Sequence, residues 1–586
     1  MFSVFVKLGW FFKQEWRRYT IAITLLLIVN VLEMLPPRYL GQAVDDIRSG
    51  QFTTSSILFY VTIFCLLGVS VYALTYFWMY QLFGGANVME RVMRGKLMRH
   101  LLKMTPTFYE KKKTGNLMAL GTNDLNAVAL TTGFGVLTLV DSTAYMLMIF
   151  FTMGLTISWK LTLMAIIPMP LMAILIAFYG SKIHERFTVA QDAFGDMNDR
   201  VLESVAGVRV IRSFVQEKQD VNRFREMTDD VFQKNMRVAI IDSLFEPTVK
   251  LLVGISYLIG IGYGAYLVFQ SDLTIGELVA FNVYLGMMIW PMFAIGELIN
   301  IMQRGNASLD RLNHTLSYQP DVTDVAKPKT LQEPGDIRFE HVTFRYPTSS
   351  KDNNLTDVSF TVRKGQTIGI TGKTGSGKTT IVKQLLRQYP TGDGKILFSG
   401  VPIEDIELDQ LFQWIGYVPQ DHVLFSKSVE ENMRFGHRDA REAELAQAIK
   451  DAYFEKDLRL LPEGLETMVG EKGVALSGGQ KQRISIARAL LIDPDILILD
   501  DSLSAVDAKT ETAILENLRQ NRHGKTTFIT THRLSAVEHA DLILVMEEGR
   551  IVQKGTHQAL IQQDGWYKEQ FLRQQLTNQL EGGDEA

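Results

Sequence analysis

The stretch Gly372-Lys373-Thr374-Gly375-Ser376-Gly377-Lys378-Thr379 fits the pattern G-x-x-x-x-G-K-[ST]. Glycines there let backbone N–H groups close around phosphate oxygens, and a following helix start adds its dipole. Gly372, Thr374, Gly375, Ser376, Gly377 and Thr380 would form the cradle. Lys378 would reach the β- and γ-phosphates, and the Thr379 hydroxyl would face Mg²⁺. A second apolar run, Ile496-Leu497-Ile498-Leu499, ends in Asp500-Asp501. At such a strand end the first carboxylate steadies Mg²⁺, commonly through water, and the next position orients the attacking water. His532 follows another short apolar segment, Thr526–Thr530, and would sense the γ-phosphate.

These groups need a scaffold. Ile337–Phe344 alternates like a strand, Thr367–Thr371 is a short apolar strand, and Thr379–Gln388 is helical. Strand, glycine loop and helix are the context the motif requires. Parallel strands bring Asp500 to the loop despite their distance along the chain. Pro320, Pro328, Pro334 and Gly335 mark a linker ahead of this block.

What precedes the linker is built for lipid. Residues 51–89, 161–181, 251–271 and 278–296 contain no Asp, Glu, Lys or Arg. Six spans are expected at 19–40, 57–82, 136–157, 161–181, 247–269 and 275–296. Basic residues flank them on one side. Lys7, Lys13, Arg17 and Arg18 precede the first span, Arg91 to Lys113 follow the second, and Lys182 to Arg212 follow the fourth. The positive-inside rule places both termini and both long inserts in the cytoplasm. Residues 1–18 read as an interfacial helix, or as a plain basic flank. If span four runs unbroken to Arg212, it makes a rod roughly 75 Å long. Thr105–Lys113 and Phe214–Lys218 are then the rod tips, where a membrane helix would touch a cytoplasmic motor.

Two carboxylates lie inside the spans, Glu33 and Asp141. Each lines a pathway for a cationic solute, pairs with a neighbour or snorkels near an interface. The net charge of -4 offers nothing to nucleic acid. A single cysteine, Cys65, excludes an internal disulfide and a cysteine metal site.

Leu476-Ser477-Gly478-Gly479-Gln480 resembles the signature loop of ATP-binding cassette transporters. Gln420 in Val418-Pro419-Gln420 resembles their Q-loop, Ser504-Ala505-Val506-Asp507 their D-loop, His532 their switch histidine, and Tyr346 the aromatic that stacks on adenine. Thr467–Gly473 resembles a segment of the exporter branch. The resemblance implies an all-α six-helix transmembrane domain with long cytoplasmic helical extensions, followed by an α/β P-loop nucleotide-binding domain, the type IV exporter architecture. Its boundaries would be 1–18 for the interfacial helix, 19–315 for the membrane domain, 316–335 for the linker, 336–575 for the cassette and 576–586 for a tail. Cassettes of this family pair head to tail. ATP is held between one phosphate loop and the partner's Ser477, Gly478, Gly479 and Gln480, with Asp507 nearby and Mg²⁺ on Thr379, Gln420 and Asp500. Catalysis would rest on Asp501, His532, Gln420 and Lys378.

The family usually has Glu where this chain has Asp501. The shorter side chain implies weakened hydrolysis at its own site. A narrower resemblance, to the degenerate-site small subunit of heterodimeric multidrug exporters of Bacillus-type bacteria, implies a partner half-transporter carrying the Glu. The expected function is ATP-driven export of hydrophobic or cationic drug-like solutes through the plasma membrane, in contact with membrane lipids and without nucleic acid. The alternatives are a lipid or peptide exporter or flippase, and a regulatory subunit gating a partner.

Overall fold

The computed structural model describes residues 3–347, 352–470 and 475–582. It divides into two compact units, Met1–Leu102 with Gly115–Tyr318, and Lys103–Thr114 with Gln319–Ala586.

Among the described residues, the first unit holds six helical segments long and apolar enough to span a bilayer: Trp16–Arg48, Thr54–Leu101, Thr114–Thr156, Trp159–Ala206, Glu217–Phe269 and Ile275–Leu316. Each of the six apolar stretches sits in one of them. Several of these rods extend well beyond the apolar window, as the helical spacing of the inserts demands. They are not uniform. Pro36 and Pro37 open a new helix at Leu35, after a break at Met34. Pro168 restarts the fourth rod, and Pro291 lies just past a break at Met288. The fourth rod does not run unbroken to Arg212. Its helix Pro168–Ala206 stops at Gly207 after about 58 Å at 1.5 Å per residue. A short helix, Val208–Ser213, then leads to an exposed turn at Phe214 and Val215.

The amino-terminal residues form the helices Ser3–Lys7 and Gly9–Gln14. Protein covers their apolar face, since Val4, Leu8 and Phe11 have no exposed surface. The Lys7 ammonium donates to Asn306 Oδ1 at 2.9 Å, which pins this segment to the last rod.

The second unit is built on two sheets. β1 (Ile337–Phe344), β2 (Leu355–Val362), β4 (Asp393–Phe398) and β5 (Val401–Pro402) form an antiparallel sheet in the order β2-β1-β4-β5. β3 (Thr367–Gly372), β6 (Ile415–Val418), β7 (Ile496–Asp500), β8 (Thr526–Thr530), β9 (Leu542–Glu547) and β10 (Arg550–Gly555) form the other, in the order β10-β9-β3-β8-β7-β6. All its pairings are parallel except β9 with β10. β7 is buried at every position, as a parallel strand covered on both faces must be. Residues Ile381, Val382 and Leu385 of the helix Lys378–Leu385 join Ile368, Ile370, Ile498 and Phe528 in one apolar core, which anchors the glycine loop between strand and helix.

The segment Lys103–Thr114, which links the second and third rods along the chain, packs as part of this second unit. Its helix Pro106–Lys111 buries Phe108 completely. The Tyr389 hydroxyl donates to the Glu110 carboxylate, and the Thr105 hydroxyl donates to Asp321.

Candidate functional site: a phosphate loop facing a carboxylate-ended strand

β3 ends at Gly372, and the loop enters the helix at Lys378 with Gly377 in the left-handed region at φ 102°. A Cβ on Gly372 would lie 2.1 Å from Met546 O, and one on Gly377 would lie 2.8 Å from Asn354 O. Both positions therefore demand glycine, and the loop's path is held by backbone rather than by side chains. The Lys378 ammonium donates to the carbonyls of Gly372 and Lys373, each at 2.9 Å. It bridges the mouth of the loop. Burial lowers its pKa below that of an ordinary lysine, while Asp501 and Asp500 pull the other way. The Ser376 hydroxyl is buried without a partner.

Opposite the loop, the pairing of β7 with β8 sets Asp500 beside Thr530. Asp500 Oδ1 accepts from the Thr379 hydroxyl at 3.0 Å and from the Thr530 hydroxyl at 2.6 Å. Tyr417 OH donates to Oδ2 at 3.4 Å. A hydroxyl and carboxylate oxygens converging in this way are the hard donors that Mg²⁺ prefers, so the residues present fit the ion.

Asp501 stands just past the strand with φ 47°. Its N–H donates to Thr530 O at 3.0 Å and lies 2.9 Å from Thr530 Oγ1, which fixes the backbone. Its Oδ1 is buried and has no partner. Burial raises its pKa, opposed chiefly by His532 and Lys378. Burial and Lys378 together lower the pKa of His532. A buried, unpartnered carboxylate oxygen near a lysine and an imidazole suits a group that accepts a proton or orients water. Because burial helps Asp501 keep its proton, the acid limb of ATP hydrolysis is expected above the ordinary carboxylate range. A pH–rate profile of kcat whose acid limb falls at the pH of an exposed carboxylate would assign that limb to another group.

The other expected residues are distributed more widely. The Tyr346 ring packs edge-on to Phe344 and Tyr389, and its hydroxyl donates to Thr380 Oγ1 at 3.1 Å, beside the loop. Gln420 is exposed just past β6. Ser477 caps the helix Gly478–Leu490 in a reciprocal bond with Gln480, and Ser477 and Gly478 are exposed. Gly479 lies against Ala505, where a Cβ would be 3.1 Å from the carbonyl oxygen. Asp507 caps the helix Ala508–Asn521, accepting from Thr510 N at 2.9 Å and Thr510 Oγ1 at 2.8 Å. Among the described residues, no hydrogen bond joins Ser477–Gln480 to the phosphate loop of the same chain. Of the exporter-like segment, Glu471, Lys472 and Gly473 lie outside the described residues. Sequence reasoning missed Thr530, which grips both Asp500 and Asp501. Its only signal is its place at the end of a strand that must neighbour β7.

Two family models cover this arrangement: the ABC transporter transmembrane region over residues 19–292 and the ABC transporter domain over 355–504. This chain belongs to the ABC transporter family. It is a transporter whose cassette hydrolyses ATP in coupling to transport, multi-pass in the plasma membrane with the nucleotide-binding domain cytoplasmic. The transporter is 71% identical to the "Probable multidrug resistance ABC transporter ATP-binding/permease protein YheI" of Bacillus subtilis, with 100% of each chain covered. It is 42% identical to the "Multidrug resistance-like ATP-binding protein MdlA" of Escherichia coli, over 99% of this chain and 98% of that one. Its fold is similar to that of a bacterial Atm1-family ABC exporter solved with ATP bound, with a TM-score of 0.79 and 27% identity over 95% of this chain and 99% of the other.

These likenesses correct the narrower resemblance. They place the transporter with single-chain fused exporters of the YheI, MdlA and Atm1 type, and not with the degenerate-site small subunits of asymmetric heterodimers. That reading leaned on one side chain. Asp501 keeps its charge, and a missing methylene does not determine which chain pairs with which.

Proposed function

We propose that two copies of this transporter pair to export hydrophobic or amphipathic drug-like solutes, driven by ATP held between the two cassettes. The observation that carries this reading is the lack of a bond between the two loops of one chain. A complete phosphate loop and an exposed signature loop sit on one cassette with no hydrogen bond between them among the described residues. Each copy would therefore complete the other's site through Ser477, the Gly478 and Gly479 amides, and Gln480. Tyr346 would stack on the adenine. Mg²⁺ would be held by Thr379 and Asp500, with Gln420 reaching toward it, and would neutralise charge developing on the transferred phosphoryl group. The names of the 71% and 42% relatives support drug-like cargo.

In this reading Asp501 orients the attacking water in both sites alike, at a reach one methylene shorter than Glu allows, and His532 contacts the γ-phosphate oxygens. ATP binding favours the closed pair of cassettes, and that preference must exceed the cost of rearranging the spans. The helix Pro106–Lys111 transmits the motion along the chain through its grip on Tyr389. Tyr389→Phe removes the hydroxyl that Glu110 accepts from. It is expected to lower cargo moved per ATP hydrolysed several-fold while leaving ATP affinity within about twofold, because loss of a charge-assisted bond acts on the coupling and not on the phosphate loop. Parallel transport and ATPase assays on one proteoliposome preparation check this.

The assembly itself is tested with the purified chain alone in proteoliposomes. ATP-dependent accumulation of a lipophilic dye by a single gene product supports the proposal. Activity that appears only when a different, Glu-bearing half-transporter is added would overturn it.

A further inference from the structure

His532 sits on a loop that begins where β8 ends, and several elements fasten that loop. On the strand side, Thr531 N–H donates to Ile370 O at 3.1 Å, and the His532 imidazole engages the Gly372 backbone. Beyond the histidine, the Arg533 guanidinium donates to Val506 O at 3.0 Å, to Glu511 Oε2 at 2.8 Å and to Ser504 O at 3.1 Å. The backbone between these anchors still needs partners. Leu534 is buried, and a buried N–H requires an acceptor.

One side chain meets that need and grips the histidine as well. Gln574 Nε2 donates to His532 O at 2.9 Å, and Leu534 N–H donates to Gln574 Oε1 at 3.0 Å. The carboxamides of Asn and Gln carry a donor and an acceptor side by side, so one planar group spans the turn. Gln574 comes from the helix Trp566–Gly582. Tyr567, Phe571 and Gln574 recur at i, i+4 and i+7 and share one face. The first two anchor it. Tyr567 has no exposed surface, its N–H donates to Gln553 Oε1 on β10 at 3.2 Å, and its hydroxyl lies 2.8 Å from His557 Nδ1. The Phe571 ring packs edge-on to His557 at 4.9 Å. The helix is thus seated on the edge of the sheet without help from His532, and its third contact reaches the histidine loop.

We propose that Gln574 is a positioning residue for ATP hydrolysis, and that through it the helix Trp566–Gly582 holds the His532 backbone where the imidazole can meet the γ-phosphate. The inference rests on the reading of His532 as the γ-phosphate contact. A small displacement of a group that acts in the transition state costs much more in kcat than in affinity for the ground state. ATP affinity stays with the phosphate loop and Lys378.

The test is steady-state ATPase of the full chain in proteoliposomes, with ATP varied. Gln574→Met keeps the length of the side chain and suits a helix, but loses both bonds. It is expected to lower kcat roughly 5- to 20-fold, with KM for ATP within about twofold. Gln574→Glu keeps the acceptor for Leu534 N–H and loses the donor to His532 O, and should lower kcat by a similar factor. His532→Ala is expected to lower kcat on the order of 100-fold, and adding Gln574→Met to it should cost nothing further. An equal loss from Gln574→Met in both backgrounds would make the residue a structural support and overturn the proposal. Parental kcat in Gln574→Glu overturns it too. Parental kcat in His532→Ala overturns the reading of His532 together with this inference, whereas a loss in His532→Ala with none in Gln574→Met overturns this inference alone.

Discussion

Lys378→Ala is expected to abolish ATP-driven transport and to lower ATP affinity by roughly 100-fold or more. Its ammonium bridges the glycine loop, bound to the Gly372 and Lys373 carbonyls. It is buried, which makes a charge-assisted bond to a phosphate oxygen stronger than it would be in water. The neighbouring acids raise the stakes. Asp500 and Asp501 face the same space, and without Lys378 their charge repels the triphosphate. The loop itself should survive, because its course depends on Gly372 and Gly377 and on the apolar anchor of Ile381, Val382 and Leu385. Titration calorimetry with a slowly hydrolysed ATP analogue, alongside thermal unfolding in detergent, separates the two effects. Normal affinity in the variant would remove Lys378 from the phosphate site.

The second large effect lies at Asp501. If reach limits hydrolysis, Asp501→Glu is expected to raise kcat, by up to about 100-fold when a displacement near 1 Å is recovered. Asp501→Asn keeps the size and loses the charge, and should lower kcat by a factor on the order of 100 to 10,000. Asp501 is pinned through its N–H to Thr530, and its positive φ leaves little room for the chain to advance the carboxylate. The pair of variants is read by steady-state ATPase at saturating ATP. An unchanged rate in Asp501→Glu means the shorter side chain already sits where the water needs it.

Much of this molecule was legible along the chain. The six apolar stretches need no neighbours to be recognised, because a bilayer requires each span to satisfy its own backbone and to present apolar side chains over a fixed length. Gly372 to Thr379 is equally local. The glycines, the lysine and the helix start are consecutive, so strand, loop and helix specify one another. The buried strand ending in Asp500-Asp501 falls in the same class, since a continuous apolar run signals a strand covered on both faces. The end of the fourth rod was not legible. Apolar spacing continues through Gly207 to Ile211, and that spacing does not record where the helix stops.

What periodicity does not carry is partnership between distant segments. Thr530 acquires its hold on Asp500 and Asp501 only because β8 pairs with β7 in one register, and a shift of one residue would turn its hydroxyl to the other face. Tyr389 and Glu110 meet because a short segment between two membrane rods packs with the cassette. Glu33 and Asp141 were visible as charges in apolar runs, yet a break in one helix and a π-turn in another bring them to a common cavity. The sequence by itself determined which chemistry this transporter carries and which segments lie in lipid, because those depend on composition over short windows. Only the tertiary structure decided which side chains face one another, because that depends on register and packing between elements that no local pattern records.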